Sequence, residues 1–435
     1  MVAKQDNIKW LDGLRGFASF LVVVTHISRA FDPMLFRPAT ENDQPARLLQ
    51  WPFIRVFFQG RIGVAIFALV TGYVCALKPI RQSRSSNYEG AFASIAKSSF
   101  RRVFRLVFPT TIATCIIWFF TQFGVFSIAK HSNSQWLSYT APGMTPDFGE
   151  AVYTLIFNIS QTWVHRSNAY DPNQWTLLPL LKGSMVVYTT CFATMYIRPR
   201  YRMMVCWAGW VYYYIAADAA FGMQMMFGMF MADLQNTPTA ENWIKTHPRL
   251  RTSFAAILLI LGMFLASYPE EGHTFCKWSN TLHDLGAYVI PPNHDFPRFF
   301  TAFGLELIVL GIHLSGGIRD VLSNRLFLWL GKNSFAVYLI HGSLLRSVLC
   351  WMMYGGSVPP DVQNDEGQWV HGPPLELKST VREIFCVPIW FVMLYGVAHL
   401  WTTYVDPMCA RWTAAIERYA VGQEENKEAS SVLPH

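Results

Sequence analysis

Arg15 and His26 stand eleven residues apart in one apolar stretch. At 100° per residue that spacing is three turns plus about 20°, so a helix would carry both on one face, about 16 Å apart along its axis. Ionisable groups inside an apolar span are costly and mark a pathway or a reaction site. A neutral imidazole there can take a proton from a hydroxyl as the hydroxyl attacks an acyl carbonyl. It can equally hydrogen-bond a neighbouring helix, and the spacing leaves both readings open. A second pair, Arg102 and Arg105, is three apart and shares a helix face, where two guanidiniums could grip a phosphate of a cofactor arriving from the cytosol. Orientation in the membrane and contact with anionic lipid are the competing account of those arginines. His341, near Tyr338 and Ser343, is a secondary candidate, for which a helix–helix hydrogen bond is again the alternative.

The elements that must position these groups follow from composition. Only 14% of the 435 residues are charged and 52% are hydrophobic, against about 25% charge in soluble domains, so the solvent is lipid. A bilayer core takes roughly 20 predominantly apolar residues per helix. Ten windows approach that length, over Gly16–Phe31, Gly63–Leu77, Val103–Phe126, Trp175–Ile197, Met203–Ala217, Gly222–Leu234, Phe254–Tyr268, Phe299–Ser315, Phe335–Tyr354 and Ile384–Tyr404, with the fifth and sixth the shortest. The expectation is an all-α, polytopic transmembrane bundle of about ten helices that occupies residues 1–421 as one domain. The tail 422–435 is too polar to offset its ordering entropy and is expected to be disordered.

Lys and Arg gather in alternate loops. Lys78, Arg81, Arg84, Lys97, Arg101, Arg102 and Arg105 follow the second window, Arg198, Arg200 and Arg202 the fourth, and Arg319, Arg325 and Lys332 the eighth. The positive-inside rule puts these on the cytosolic side, with both termini cytosolic and the loop bearing Asn158 lumenal. Acidic residues such as Glu270, Glu271, Asp284, Asp295, Asp361, Asp365, Glu366 and Glu376 fall in the opposite loops. Most of the eight cysteines lie in apolar windows and read as small buried hydrophobes. No CxxC, HExxH or acidic-loop spacing occurs, so no metal site is expected. The first apolar stretch carries Arg15 and His26 and lacks a small-residue cleavage pattern, so it is expected to be retained as a helix.

Five ordered segments carry a family resemblance. LDGLRGFASFLVVVTH resembles the opening of the acyltransferase-3 family, with Arg15 and His26 at its Arg and His positions. GRIGVAIFALVTGYV, RRVFRLVFP, LGKNSFAVYLIHG and YVDPMCARW are similar to its later segments, and NQWTLLPLLKGSMVVY to FGMFMADL looks closest to fungal members. The resemblance implies a membrane O-acyltransferase that moves an acyl group, with acetyl favoured, from acyl-CoA to a hydroxyl of a small metabolite. Fungal secondary metabolism and an endomembrane such as the endoplasmic reticulum are the implied setting. It implies Arg102 and Arg105 on the phosphates of acyl-CoA, Arg15 neutralising the cofactor or positioning its arm, and His26 as general base. Acyl-CoA is then a co-substrate with no tightly bound cofactor, and the partners are the acceptor and the bilayer, with no nucleic acid. One family feature is missing: no Glu follows Trp175 within a few residues, and Lys182 stands there instead. The rivals are a transporter or flippase, against which the lack of internal repeats weighs, and O-acetylation of a glycan or wall polymer. A covalent route lacks a GxSxG elbow, which favours direct transfer.

Overall fold

Every one of the ten apolar windows falls mainly in helix, several of them running a few residues past the helix end. The computed structural model describes residues 9–421, apart from 43, 293, 361, 364–368, 371, 378 and 379. Lys4, Asp361, Asp365, Glu366 and the tail 422–435 fall outside the described residues. In chain order the helices that matter here are α1 (Lys9–Phe31), α2 (Arg61–Arg84), α3 (Tyr88–Gln122), α4 (Gln135–Thr140), α5 (Phe148–Val164), α6 (Leu177–Ala193), α7 (Pro199–Ile215) and α8 (Gly222–Gln235). They continue with α9 (Pro238–Thr246), α10 (Pro248–Ala266), α11 (Phe296–Leu314), α12 (Gly316–Leu322), α13 (Arg325–Leu344) and α14 (Thr380–Val421). The strands are a minimal antiparallel pair, Val362–Gln363 with Trp369–Val370.

Eight of the described helical segments are long and apolar enough to cross a membrane. The fifth and sixth windows form α7 and α8, which at 17 and 14 residues are shorter. The chain is a multi-pass membrane protein with an all-α bundle fold.

Lipid tails give helices no hydrophobic reason to associate, so close backbone approach at small residues carries the packing. Two seams show it. Between α1 and α13, a Cβ at Gly16 would lie 2.3 Å from the Gly331 nitrogen, and one at Gly331 would lie 2.1 Å from the Asp12 carbonyl oxygen. Between α2 and α8, a Cβ at Gly72 would sit 2.2 Å from the Met225 carbonyl oxygen and one at Gly228 2.1 Å from that of Leu69. The first seam sets the distance between His26 on α1 and His341 on α13.

Ion pairs tie the two ends of the bundle. At the end where α1 begins, the fully buried Asp233 of α8 accepts from Arg84 of α2 at 2.7 Å and from Arg202 of α7 at 2.5 Å. Glu417 near the end of α14 bonds Arg101 of α3 there. At the opposite end, Glu270 accepts from Arg29 of α1 and from Arg61 of α2, each at 2.9 Å, and Arg61 continues to Asp295 at 2.8 Å.

Candidate active site

His26 is half-buried near the far end of α1, with two rings against its own. The Trp136 ring of α4 stacks on it at 5.4 Å between centroids, and the His341 ring lies nearly parallel to it, edge to edge, at 5.0 Å. His26 Nδ1 lies 2.8 Å from His341 Nε2. The partners decide which nitrogen carries each hydrogen. His341 Nδ1 faces two backbone carbonyls, Val337 at 3.0 Å and Tyr338 at 2.8 Å. Carbonyls only accept, so in the neutral ring the hydrogen is on Nδ1, and Nε2 holds a lone pair. That lone pair accepts from His26 Nδ1–H, which leaves His26 Nε2 bare. His341 is fully buried while His26 is only half-buried, so His26 is the member of the pair open to a substrate.

The wall that holds this pair is a buried polar network. Just after His341 the helix loosens into one π turn, Leu345–Leu349, a form frequent at functional sites. It carries Arg346, 0% exposed, which donates to Asp171 at 2.8 Å, to the Thr140 carbonyl at 2.9 Å and to the Gly342 carbonyl at 3.0 Å. Asp171 opens the turn Pro172–Thr176 that leads into α6. Tyr338 of α13 donates to the Asn173 carbonyl and accepts from the Thr176 hydroxyl at 2.5 Å. Gly342 makes room for this turn, since a Cβ there would lie 2.1 Å from Asn173 Nδ2.

His26 lines a cavity of about 370 Å³. Thr25, Asn173, Thr176 and Tyr338 give it neutral polar walls, Trp136 and Trp175 aromatic ones, and Arg29, Arg61, Glu270 and Arg298 charged ones. The charged side belongs to the end of the bundle where α1 stops and α2 starts.

Arg15, Arg102 and Arg105 gather away from this cavity, toward the other end. Arg15 donates to the Gly331 carbonyl at 2.9 Å and pairs with Asp12 at 3.4 Å. Arg102 and Arg105 both lie near enough to act on its charge. Arg102 reaches Thr71 of α2 at 3.3 Å, and Asp406 of α14 lies within the field of Arg105. Arg15, Arg102 and Arg105 thus lie toward the same end of the bundle, within electrostatic reach of one another. Nε of Arg15 and Nε of Arg102 are buried and have no hydrogen-bond partner among the described residues. None of the three lines the His26 cavity.

The chain matches the acyltransferase-3 family, described as an acyltransferase domain, over residues 8–371. It belongs to that family. This acyltransferase is similar to O-acetyltransferase PaAT-1 of Phomopsis amygdali, 24% identical over 79% of this chain and 73% of the relative. It is also similar to acyltransferase clz18 of Cochliobolus lunatus, 22% identical over 78% of this chain and 82% of the relative, and to acyltransferase R4 of a Phoma species, 24% identical over 79% and 83%. No solved structure matches it.

Sequence reasoning passed over three residues that build the acyltransferase's site: Asp171, Asn173 and Arg346. Arg346 carried a signal, because it is an arginine inside the apolar window Phe335–Tyr354 and such a group needs a buried partner. Its partner Asp171 lies 175 residues away and is found only through the fold. No Glu follows Trp175 here, and the group hydrogen-bonded to His26 is His341.

Proposed function

We propose that this acyltransferase moves an acyl group, with acetyl favoured, from acyl-CoA to a hydroxyl of a small metabolite by direct transfer. The observation that carries the reading is His26 on the cavity wall with Nδ1 committed to His341, which leaves Nε2 as its free base. The acceptor hydroxyl gives its proton to Nε2 while its oxygen attacks the thioester carbonyl. The tetrahedral intermediate collapses, the C–S bond breaks, and the proton on Nε2 passes to the departing CoA thiolate. Ester, free CoA and neutral His26 result. During the step His26 carries positive charge, and the lone pair of His341 accepts from its Nδ1–H throughout.

Arg15, Arg102 and Arg105 receive the phosphates of acyl-CoA at the basic end. The unpartnered Nε atoms of Arg15 and Arg102 among the described residues support this, as do the electrostatic reach of Arg102 and Arg105 to Arg15 and the Arg-x-x-Arg spacing of Arg102 and Arg105 in RRVFRLVFP. The eleven-residue spacing from Arg15 to His26 corresponds to about 16 Å, a span suited to the thin pantetheine arm. Donor and acceptor then enter from opposite ends, the donor from the cytosol and the acceptor through the cavity beside Arg29 and Glu270. The word O-acetyltransferase in the name of one relative supports acetyl as the group, and the fungal sources of the relatives support a role in secondary metabolism. An endomembrane such as the endoplasmic reticulum is the setting we propose.

The test is chemical. Protein purified in detergent, with no gradient across any membrane, is incubated with acetyl-CoA and a hydroxylated extract of the native host. Equal amounts of free CoA and a new acetyl ester are expected. Arg102→Ala with Arg105→Ala should raise the KM for acetyl-CoA roughly tenfold or more. Intact acetyl-CoA with a verified acceptor would sink the proposal, and an unchanged KM would return the arginines to membrane orientation alone.

A further inference from the structure

The mouth of the His26 cavity has more guanidinium than its carboxylates can use. Arg29, Arg61 and Arg298 line it beside a single lining acid, Glu270. Glu270 is already bonded to Arg29 through both oxygens and to Arg61. Asp295, just outside, receives both a hydrogen-bonded Arg61 nitrogen and Arg298 Nε, the latter at 3.1 Å. That leaves the two terminal nitrogens of Arg298 without a hydrogen-bond partner among the described residues. Beside Trp175, which lines the cavity, Arg166 adds a further cation without itself lining it. It has no carboxylate partner among the described residues, and its guanidinium lies 5.4 Å from the centre of the Trp175 ring, over which Arg298 also sits at 5.8 Å. Arg166 stands at φ +61° just past the end of α5, the left-handed position at which a helix commonly terminates. Both guanidiniums are open to solvent, so an anionic group of a ligand at the mouth can reach them.

Resting on the acyltransferase reading of the same cavity, we propose that the acceptor is a hydroxylated organic acid whose carboxylate is held by Arg298 and Arg166 beside Trp175. The planar fork of Arg298's terminal nitrogens matches a carboxylate in bidentate geometry. Trp175 gives the carbon skeleton an aromatic face, and Thr301, one turn along α11 from Arg298, also lines the cavity. A carboxylate anchored at this mouth turns the hydroxyl end of the molecule inward, toward His26 Nε2. The cationic mouth also raises the local concentration of an anionic acceptor.

The experiment uses the full chain in detergent with ω-hydroxy carboxylates of graded chain length, each paired with its methyl ester, which keeps the hydroxyl and removes the charge. Binding is read by calorimetry and transfer by ester formation. At one or more lengths the acid should bind roughly ten- to hundredfold more tightly than its ester. Arg298→Gln and Arg166→Gln should each reduce that preference, while Arg37→Gln, at a surface pair with Glu271, keeps it. Equal binding of acid and ester at every length overturns the proposal, as does a preference that survives the double Arg298→Gln, Arg166→Gln substitution. Acid-selective binding without any ester product would instead count against acyl transfer at His26 and leave the acid subsite standing.

Discussion

A buried base is usually held in place by a carboxylate, and His26 is held by a neutral imidazole. Inside a bilayer the difference matters. A carboxylate would bring a charge whose burial must be offset, while His341 supplies one lone pair, fixed by two backbone carbonyls, at no ionic cost. His341→Phe should therefore lower kcat roughly ten- to hundredfold with the KM for acetyl-CoA near wild type, as steady-state assays would read. A wild-type kcat would remove His341 from the mechanism. The individual groups were legible in the sequence because charge is conspicuous in an apolar span: His26, His341, Arg15, Arg102 and Arg105 all stood out. Their pairing was not, since the His26 bond spans 315 residues and residue spacing reports only neighbours on the same helix.

At the scale of elements, the turn between α5 and α6 is the piece that local pattern could not supply. Its backbone is tied down by long-range partners, namely Arg346 on Asp171 and Tyr338 on Asn173. The Arg346–Asp171 pair is 1% and 0% exposed, so removing one partner strands the other charge. Arg346→Met alone should cost about 3–5 kcal/mol of stability, measured by unfolding in detergent. Arg346→Met with Asp171→Leu should recover most of it. A single variant as stable as wild type would show that the pair does not hold the turn. The helices themselves were readable as ten windows, but α3 and α14 run well past theirs, to Tyr88 and Val421. Hydropathy marks the segment in lipid and falls silent where a helix continues into water. Asn158, in an Asn-x-Ser pattern, is also clearer in three dimensions: it is 9% exposed, and its amide donates to the Thr154 carbonyl while its oxygen accepts from Ala169.

For the whole molecule, the account depends on two chemically different ends. The basic end carries Arg15, Arg102 and Arg105, and the opposite end carries the acceptor cavity. The Lys and Arg distribution predicts that the basic end faces the cytosol. Single cysteines placed at Ser85 and at Gly143, in a background without exposed thiols, should then be labelled by impermeant reagents from opposite sides, Gly143 from the lumenal one. Labelling of both from one side would contradict the orientation and with it the separate entry of donor and acceptor.

The central claim is that His26 Nε2 takes the proton of the acceptor hydroxyl, and it is tested most directly by His26→Ala in purified protein with acetyl-CoA binding and ester formation measured together. The account predicts that acetyl-CoA still binds with wild-type affinity at the arginine cluster while kcat falls roughly 10²–10⁴-fold. Ester formation at the wild-type rate in a folded His26→Ala protein would contradict it.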